Sequence, residues 1–312
     1  MKLVTYLGPS GHEQLGALVG EGSAPEVLDL LAVAQARGLD QSSVTDMLAL
    51  LEAGPAGRDS VRSLVDWALS GRNPSHRHPM AQVSLRAPVP RPPKVLCLAG
   101  NYAEHWRESG NTAPPKDRHV PEVFIKPVST IVGPDDIVRL PGPLCTAVDY
   151  EGELAVVIGR RAKNVAPEAA LSYVAGYTNF NDISGRRLTI NVPREETPRT
   201  GYFDWLNGKW FDTFGPLGPF LSIDEISDPQ ALRIQTRVNG QTRQDAVTGD
   251  MIFTIAETIA WISRFLTLQP GDVIATGTPS GVGSTTGTYL RAGDQVEVEV
   301  DGLGILRNSV GE

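Results

Sequence analysis

Cysteine is nearly absent: Cys97 and Cys145 are the only two in 312 residues. Both lie in apolar, strand-like runs without C-x-x-C spacing, so a disulfide framework and a cysteine-ligated zinc site are excluded and buried free thiols are expected. There is also no uninterrupted apolar run of about 18 residues, the length needed for a membrane-spanning helix. The opening MKLVTYLGPSGHEQLG has no continuous apolar segment of the secretory kind, and the expected location is cytoplasmic. Positive charge is in deficit, with 28 Lys and Arg against 36 Asp and Glu, a formal charge of −8. Neither nucleic acid nor an anionic membrane is expected as a partner. A small anionic substrate stays open, because a bound cation or a lysine reverses the field inside a cleft. The glycine-rich TPSGVGSTTG starting at Thr278 lacks the Gly-Lys-Ser/Thr of a phosphate-binding loop. No G-x-S-x-G nucleophile elbow and no internal repeat is found.

What is present is ample core material, 41% hydrophobic residues, arranged in three parts. Residues 1–70 read as a small unit. Met1 to Val19 is a hairpin turning at Gly8 and Gly11, and Val27, Leu30, Leu31 and Ala34 begin a series of short helices broken at Gly38 and Gly54-Pro55. Residues 71–93, rich in proline, read as a linker, with His76 and His78 as solvated linker residues. Residues 94–312 read as the main domain. Asn239-Gly240 marks a two-residue hairpin, and Thr254 to Leu268 is the clearest helix, with Ile255, Ile259 and Ile262 on one face.

The informative stretch runs from Cys145 to Leu188. In a strand over Val148–Ile158, Glu151 and Glu153 project from one face, followed by Ala155 and Val157. Two carboxylates entering an apolar face repel unless a cation or protons neutralise them. A second strand, Tyr173 to Phe180, ends at Asp182, which completes a three-oxygen set suited to Mg²⁺ or Mn²⁺, with Ca²⁺ also possible. Glu-x-Glu also fits the wet side of an amphipathic strand. His105 and Glu108 stand one helical turn apart, the spacing of a carboxylate-oriented general base or of an ordinary surface pair. Lys209, beside Trp210 and Phe211, is either a positioned ammonium or a snorkelling side chain. The proline-rich Asn111 to Glu122 is expected to pack poorly and to form a mobile lid. Thr189 to Gly208 is expected to be irregular.

GNYAEHWRE, VFIKP, VDYEGELAVVIG, YTNFNDISGRR, GKWFDTFGPLGP and LQPGDVIATGTPSGVG, in this order, resemble the fumarylacetoacetate hydrolase family from about Val95 to the C-terminus. The resemblance implies an α+β fold, a β-rich mixed-sheet roll with a smaller N-terminal α/β domain, commonly as a homodimer. It implies metal ligation by Glu151, Glu153 and Asp182, catalysis by His105, Glu108 and Lys209, and substrate contacts from Lys126, Arg186 and Thr278. Arg187 and Thr189 depart from the family's usual Asp and Gln, and no fourth acid stands near Leu98, so three carboxylates are expected. The implied activity is metal-dependent hydrolysis of a carbon–carbon bond in a 2,4-dioxo acid, releasing pyruvate or a relative. The alternative on the same site is oxaloacetate-type decarboxylation or keto–enol isomerisation.

Overall fold

Strand Gly152–Ile158 lies in the middle of the molecule, and its composition explains the position. GELAVVI is β-branched and apolar, and all seven residues are buried, as expected for a strand covered on both faces. Leu154, Val156 and Ile158 pack with Ile255, Ile259 and Ile262 of the helix Ile255–Phe265. Ala155 and Val157 face the opposite core, which they share with Phe124, Phe180 and the helices of the N-terminal third. The computed structural model describes residues 1–8, 11–20, 25–72 and 76–312.

Among the described residues the fold is α+β, with a twelve-stranded mixed sheet and a five-stranded sheet carrying the C-terminal hairpins. In the larger sheet Gly152–Ile158 lies between Val174–Asn181 and Val273–Ala275, and beyond the latter come Val95–Ala99 and Glu122–Lys126. On the other side Val174–Asn181 is followed by Gly215–Ser222, which pairs with Lys2–Leu7, Lys2 opposite Ser222. One continuous sheet therefore joins the N-terminal third to the rest.

The opening hairpin forms as expected, Lys2–Leu7 against Glu13–Val19. Asn239 and Gly240 both take positive φ between paired strands, the conformation that a two-residue hairpin of this type requires. The helix Ile255–Phe265 starts at a capping box: Glu257 N–H donates to Thr254 Oγ1 at 3.2 Å, and Thr254 N–H to Glu257 Oε2 at 2.8 Å. Three readings are corrected. Val27, counted with a helical series, lies in the strand Glu26–Asp29, and Asp29 ends that strand by capping the helix Leu30–Ala36. Arg77–Pro79 and Ser84–Arg86, within the proline-rich stretch, are short strands on Glu26–Asp29 and Lys2–Leu7, so His78 is a strand residue, and the His76 carbonyl accepts from the Asp29 N–H at 2.9 Å. Thr189 to Gly208 contains the helix Pro198–Asn207, initiated by reciprocal bonds between Thr197 and Thr200.

The Asn111 to Glu122 segment, the expected lid, lies against the start of the helix Ile255–Phe265. Lys116 Nζ donates to Glu257 Oε2 at 2.8 Å, and the His119 ring stands 5.6 Å from that of Phe253 and 6.1 Å from that of Trp106.

Candidate metal centre and acid–base dyad

Antiparallel pairing of Gly152–Ile158 with Val174–Asn181 sets Gly152 opposite Asn181 and so brings the acidic residues at the strand ends together. Glu151 stands just before its strand and Asp182 just after the other, with Asp182 N–H donating to Glu151 O at 2.8 Å. One oxygen from each of Glu151, Glu153 and Asp182 lies within 4.8 Å of the others, and all three side chains are buried.

Three cations close on this cluster. Lys209 Nζ donates to Glu151 Oε2 at 2.7 Å and to Asp182 Oδ2 at 2.6 Å. Lys126 Nζ donates to Asp182 Oδ1 at 2.6 Å and to Ile183 O at 3.0 Å. Arg186 bridges Glu151 and Asp149, its Nε 2.8 Å from Asp149 Oδ2. Glu153 is different. Its Oε2 accepts from Gly277 N–H at 2.7 Å, and its Oε1, buried, has no hydrogen-bond partner among the described residues.

Electrostatics divide the carboxylates accordingly. Burial, then Asp182 and Glu151, push the Glu153 carboxyl well above the usual range. Burial also acts to raise Glu151, but Lys209 and Arg186 outweigh it and hold Glu151 well below that range. Burial works against the Lys209 ammonium, and Asp182 and Glu151 outweigh that effect and keep it charged. An orphaned buried oxygen beside two further carboxylate oxygens is a donor set that fits a hard divalent cation, which would be held by Glu151, Glu153 and Asp182.

The dyad is formed on the helix Ala103–Glu108. His105 Nδ1 lies 2.6 Å from Glu108 Oε1, while Glu108 Oε2 accepts from Gly281 N–H at 2.7 Å and Thr285 Oγ1–H at 2.8 Å. Burial acts to raise Glu108, but these donors and His105 bring it below the usual carboxylate range. An ionised carboxylate only accepts, so the proton of neutral His105 sits on Nδ1 and Nε2 carries the lone pair. His105 is also near enough for its charge to stabilise ionised Glu151.

Each expected site residue is thus drawn to one region. Thr278 serves it from behind: its hydroxyl donates to Gly152 O at 2.9 Å and accepts from Gln244 Nε2 at 2.8 Å. Sequence patterns did not reveal Asp149, which is fully buried and accepts from Arg186, Gly283 N–H at 2.6 Å and Ser284 N–H at 2.9 Å. The alternation that selects Glu151 and Glu153 also passes through Asp149 and was the available signal. Phe124 and Trp205 were missed as well; their ring centres lie 5.2 and 5.7 Å from Lys209 Nζ, within cation–π range.

Fold and centre together define an enzyme for a small-molecule substrate, built on a buried three-carboxylate cluster. Residues 94–311 match the family described as fumarylacetoacetate (FAA) hydrolase, C-terminal. The chain belongs to this family. It is 41% identical over 314 residues to mitochondrial oxaloacetate tautomerase FAHD2A of Bos taurus, covering 99% of this chain and 91% of that protein. A maleylpyruvate hydrolase from Sphingobium, solved with manganese(II) and pyruvate, aligns with a TM-score of 0.75 and 31% identity over 100% of this chain and 99% of that one. A 5-carboxymethyl-2-hydroxymuconate delta-isomerase from Mycobacterium smegmatis aligns with a TM-score of 0.71 and 30% identity, over 100% and 99% of the two chains.

Proposed function

We propose that this enzyme interconverts the keto and enol forms of a 2-oxo acid of the oxaloacetate type, with Mg²⁺ or Mn²⁺ bound, or Ca²⁺ in their place. The observation carrying the reading is the likeness to an oxaloacetate tautomerase over 99% of the chain. Sequence patterns favour hydrolysis, because a His–Glu pair suits water activation; the relatives favour the alternative, in which the same pair moves a proton without adding water. Hydrolysis of a 2,4-dioxo acid remains the second reading, favoured by the likeness to the maleylpyruvate hydrolase.

A divalent cation at Glu151, Glu153 and Asp182 would supply Lewis-acid stabilisation of negative charge on the substrate's 2-oxygen and carboxylate. His105 takes the C3 proton on Nε2 and returns it to the 2-oxygen, so no atom is gained or lost. Glu108 holds the imidazole in the tautomer that can do this and stabilises its protonated form. Lys209, Lys126 and Arg186 bind and orient the anionic substrate, and a donor to a developing oxyanion contributes about 2–4 kcal/mol in comparable sites. Thr278 fixes the start of the acidic strand.

The test follows the absorbance of enol-oxaloacetate and the cleavage of an acylpyruvate in parallel, for wild type and His105→Ala with saturating Mn²⁺. Tautomerisation in wild type, lowered about 10²–10⁴-fold in the variant, supports the proposal. Acylpyruvate cleavage without accelerated enol decay would replace it with the hydrolase reading.

We also propose a homodimer, supported by an exposed apolar patch where Trp210 Nε1 donates to Ile125 O at 3.0 Å and Phe265 is 68% exposed; light scattering tests it. No helix among the described residues is long and apolar enough to cross a membrane. Residence in the cytoplasm is proposed from the sequence, beside relatives named as mitochondrial, and cell fractionation decides it.

A further inference from the structure

Arg186 and Lys209 both bind Glu151, and between them the chain leaves the metal centre and comes back to it. The return limb is the helix Pro198–Asn207. Its end is tied to the site: Gly185 N–H donates to Gly208 O at 2.8 Å, and a Cβ on Gly208 would stand 2.1 Å from Gly185 O, so only glycine fits there. Beside this excursion opens a cavity of about 470 Å³.

The cavity adjoins the carboxylate cluster. Arg186 is in its wall, and the same guanidinium binds Asp149 and Glu151. Trp205 is in its wall too, with its ring centre 5.7 Å from Lys209 Nζ. Arg194 lines the cavity from the outgoing limb, its guanidinium donating to Asp204 of the helix. The size is that of a small-molecule pocket.

Among the described residues lining this cavity, Arg186 and Arg194 are the cations and Glu196 and Asp204 the carboxylates. Arg186 is committed to the buried acids, whereas Arg194 is not. A guanidinium carries several N–H donors, and Asp204 accepts from one of them. The Arg194 and Asp204 side chains are 33% and 28% exposed, so their pair is wet and an incoming carboxylate can replace it at little cost. Glu196 is exposed, and water screens its charge. The helix also turns its N-terminus to the cavity through Thr197, Thr200 and Gly201, with no acid in its first turn, which favours negative charge there. We infer that Arg194 recognises the far carboxylate of a 2-oxo dicarboxylate whose 2-oxo acid end lies at the metal centre, that carboxylate taking the place of Asp204 on the guanidinium. This rests on the oxaloacetate-type reading above and names the residue that tells such a diacid from a 2-oxo acid with an uncharged end.

The experiment is calorimetric binding of pyruvate, oxaloacetate and 2-oxosuccinamate, the uncharged amide of the same length, to the Mn²⁺-loaded full chain in wild type, Arg194→Gln and Asp204→Asn. Both side chains reach solvent, so the substitutions spare the core. Wild type is expected to bind oxaloacetate about tenfold tighter than the amide, the worth of a hydrogen bond between charged groups. Arg194→Gln erases that margin. Asp204→Asn widens it about two- to fivefold, because the competing carboxylate is gone. Pyruvate, which has no far carboxylate, binds all three proteins alike. A margin that survives Arg194→Gln would overturn the inference, as would a margin lowered by both substitutions, which would show that the pair only fastens the helix. If pyruvate binds wild type and no margin is found, the inference falls and the 2-oxo acid reading stands. If the margin follows the expected pattern but enol-oxaloacetate is not turned over, the tautomerase reading falls and the Arg194 site stands.

Discussion

The Gly281 amide donates to Glu108 Oε2 at 2.7 Å across 173 positions of sequence, so a glycine-rich loop that is no nucleotide cradle fixes one half of the dyad. Thr285, four residues on, gives the same oxygen a second hydrogen bond. Gly283 and Ser284, between them, donate to Asp149, which holds Arg186 against Glu151. Through one loop the dyad and the carboxylate cluster share a mounting.

Thr285→Val removes the hydroxyl without changing the side-chain shape. Glu108 then loses one of the two donors to its Oε2 and keeps the Gly281 N–H. Loss of one hydrogen bond to a charged acceptor is worth about 1.5 kcal/mol, or roughly tenfold. We expect kcat to fall by about that factor with KM and Mn²⁺ affinity unchanged. Steady-state kinetics with a Mn²⁺ titration checks it, and an equal loss in metal affinity would show that the loop serves the whole site without distinction.

Glu153→Gln should separate metal binding from stability. The carboxyl of Glu153 is raised in the folded protein above its unfolded value. Its ionisation therefore opposes folding, and the metal-free protein loses stability as pH rises from the ordinary carboxylate range through the folded value. The amide removes this slope, so the metal-free variant is more stable than wild type at neutral pH. Wild type gains roughly 2.7 kcal/mol from a cation at 100 times its Kd, and the variant gains little. Thermal melts across pH, with and without Mn²⁺, measure both effects. A metal-free variant less stable than wild type would assign Glu153 to structure.

Lys209→Met leaves Glu151 and Asp182 each short of a buried partner. Breaking such a pair costs about 3–5 kcal/mol, and the metal-free variant is expected to melt earlier by that measure. Added Mn²⁺ should restore more stability to this variant than to wild type, since it neutralises the charges that the ammonium leaves behind. Equal Mn²⁺ shifts in the two proteins would mean that lysine and cation do not compete for these carboxylates.

The triad was legible because strand alternation is local: Glu151 and Glu153 share a face with Ala155 and Val157, and the next strand delivers Asp182. His105 and Glu108 were legible for the corresponding helical reason. Asp149 has the same parity, yet its partners are the amides of residues 283 and 284 and a guanidinium 37 positions away, which no local pattern encodes. The short strands Arg77–Pro79 and Ser84–Arg86 were hidden for a related reason. Proline-rich sequence has weak strand character of its own, and these residues pair only because Glu26–Asp29 and Lys2–Leu7 present open edges. Val27 was misassigned because a strand flows directly into a helix at Asp29, and the apolar spacing continues across the cap.

The pairing of Lys2 with Ser222 sets an order of events during synthesis. At about 5–20 residues per second, roughly 10 to 45 s separate the emergence of these two partners from the ribosome. In that interval Lys2–Leu7 can acquire Glu13–Val19 on one edge, and its other edge is an open template for foreign strands. Ser84–Arg86 emerges much sooner than Ser222 and covers Thr5 to Leu7 of that edge. Those three residues from the proline-rich stretch act as an intramolecular guard on a nascent sheet, leaving only Lys2 and Leu3 to wait for Gly215–Ser222.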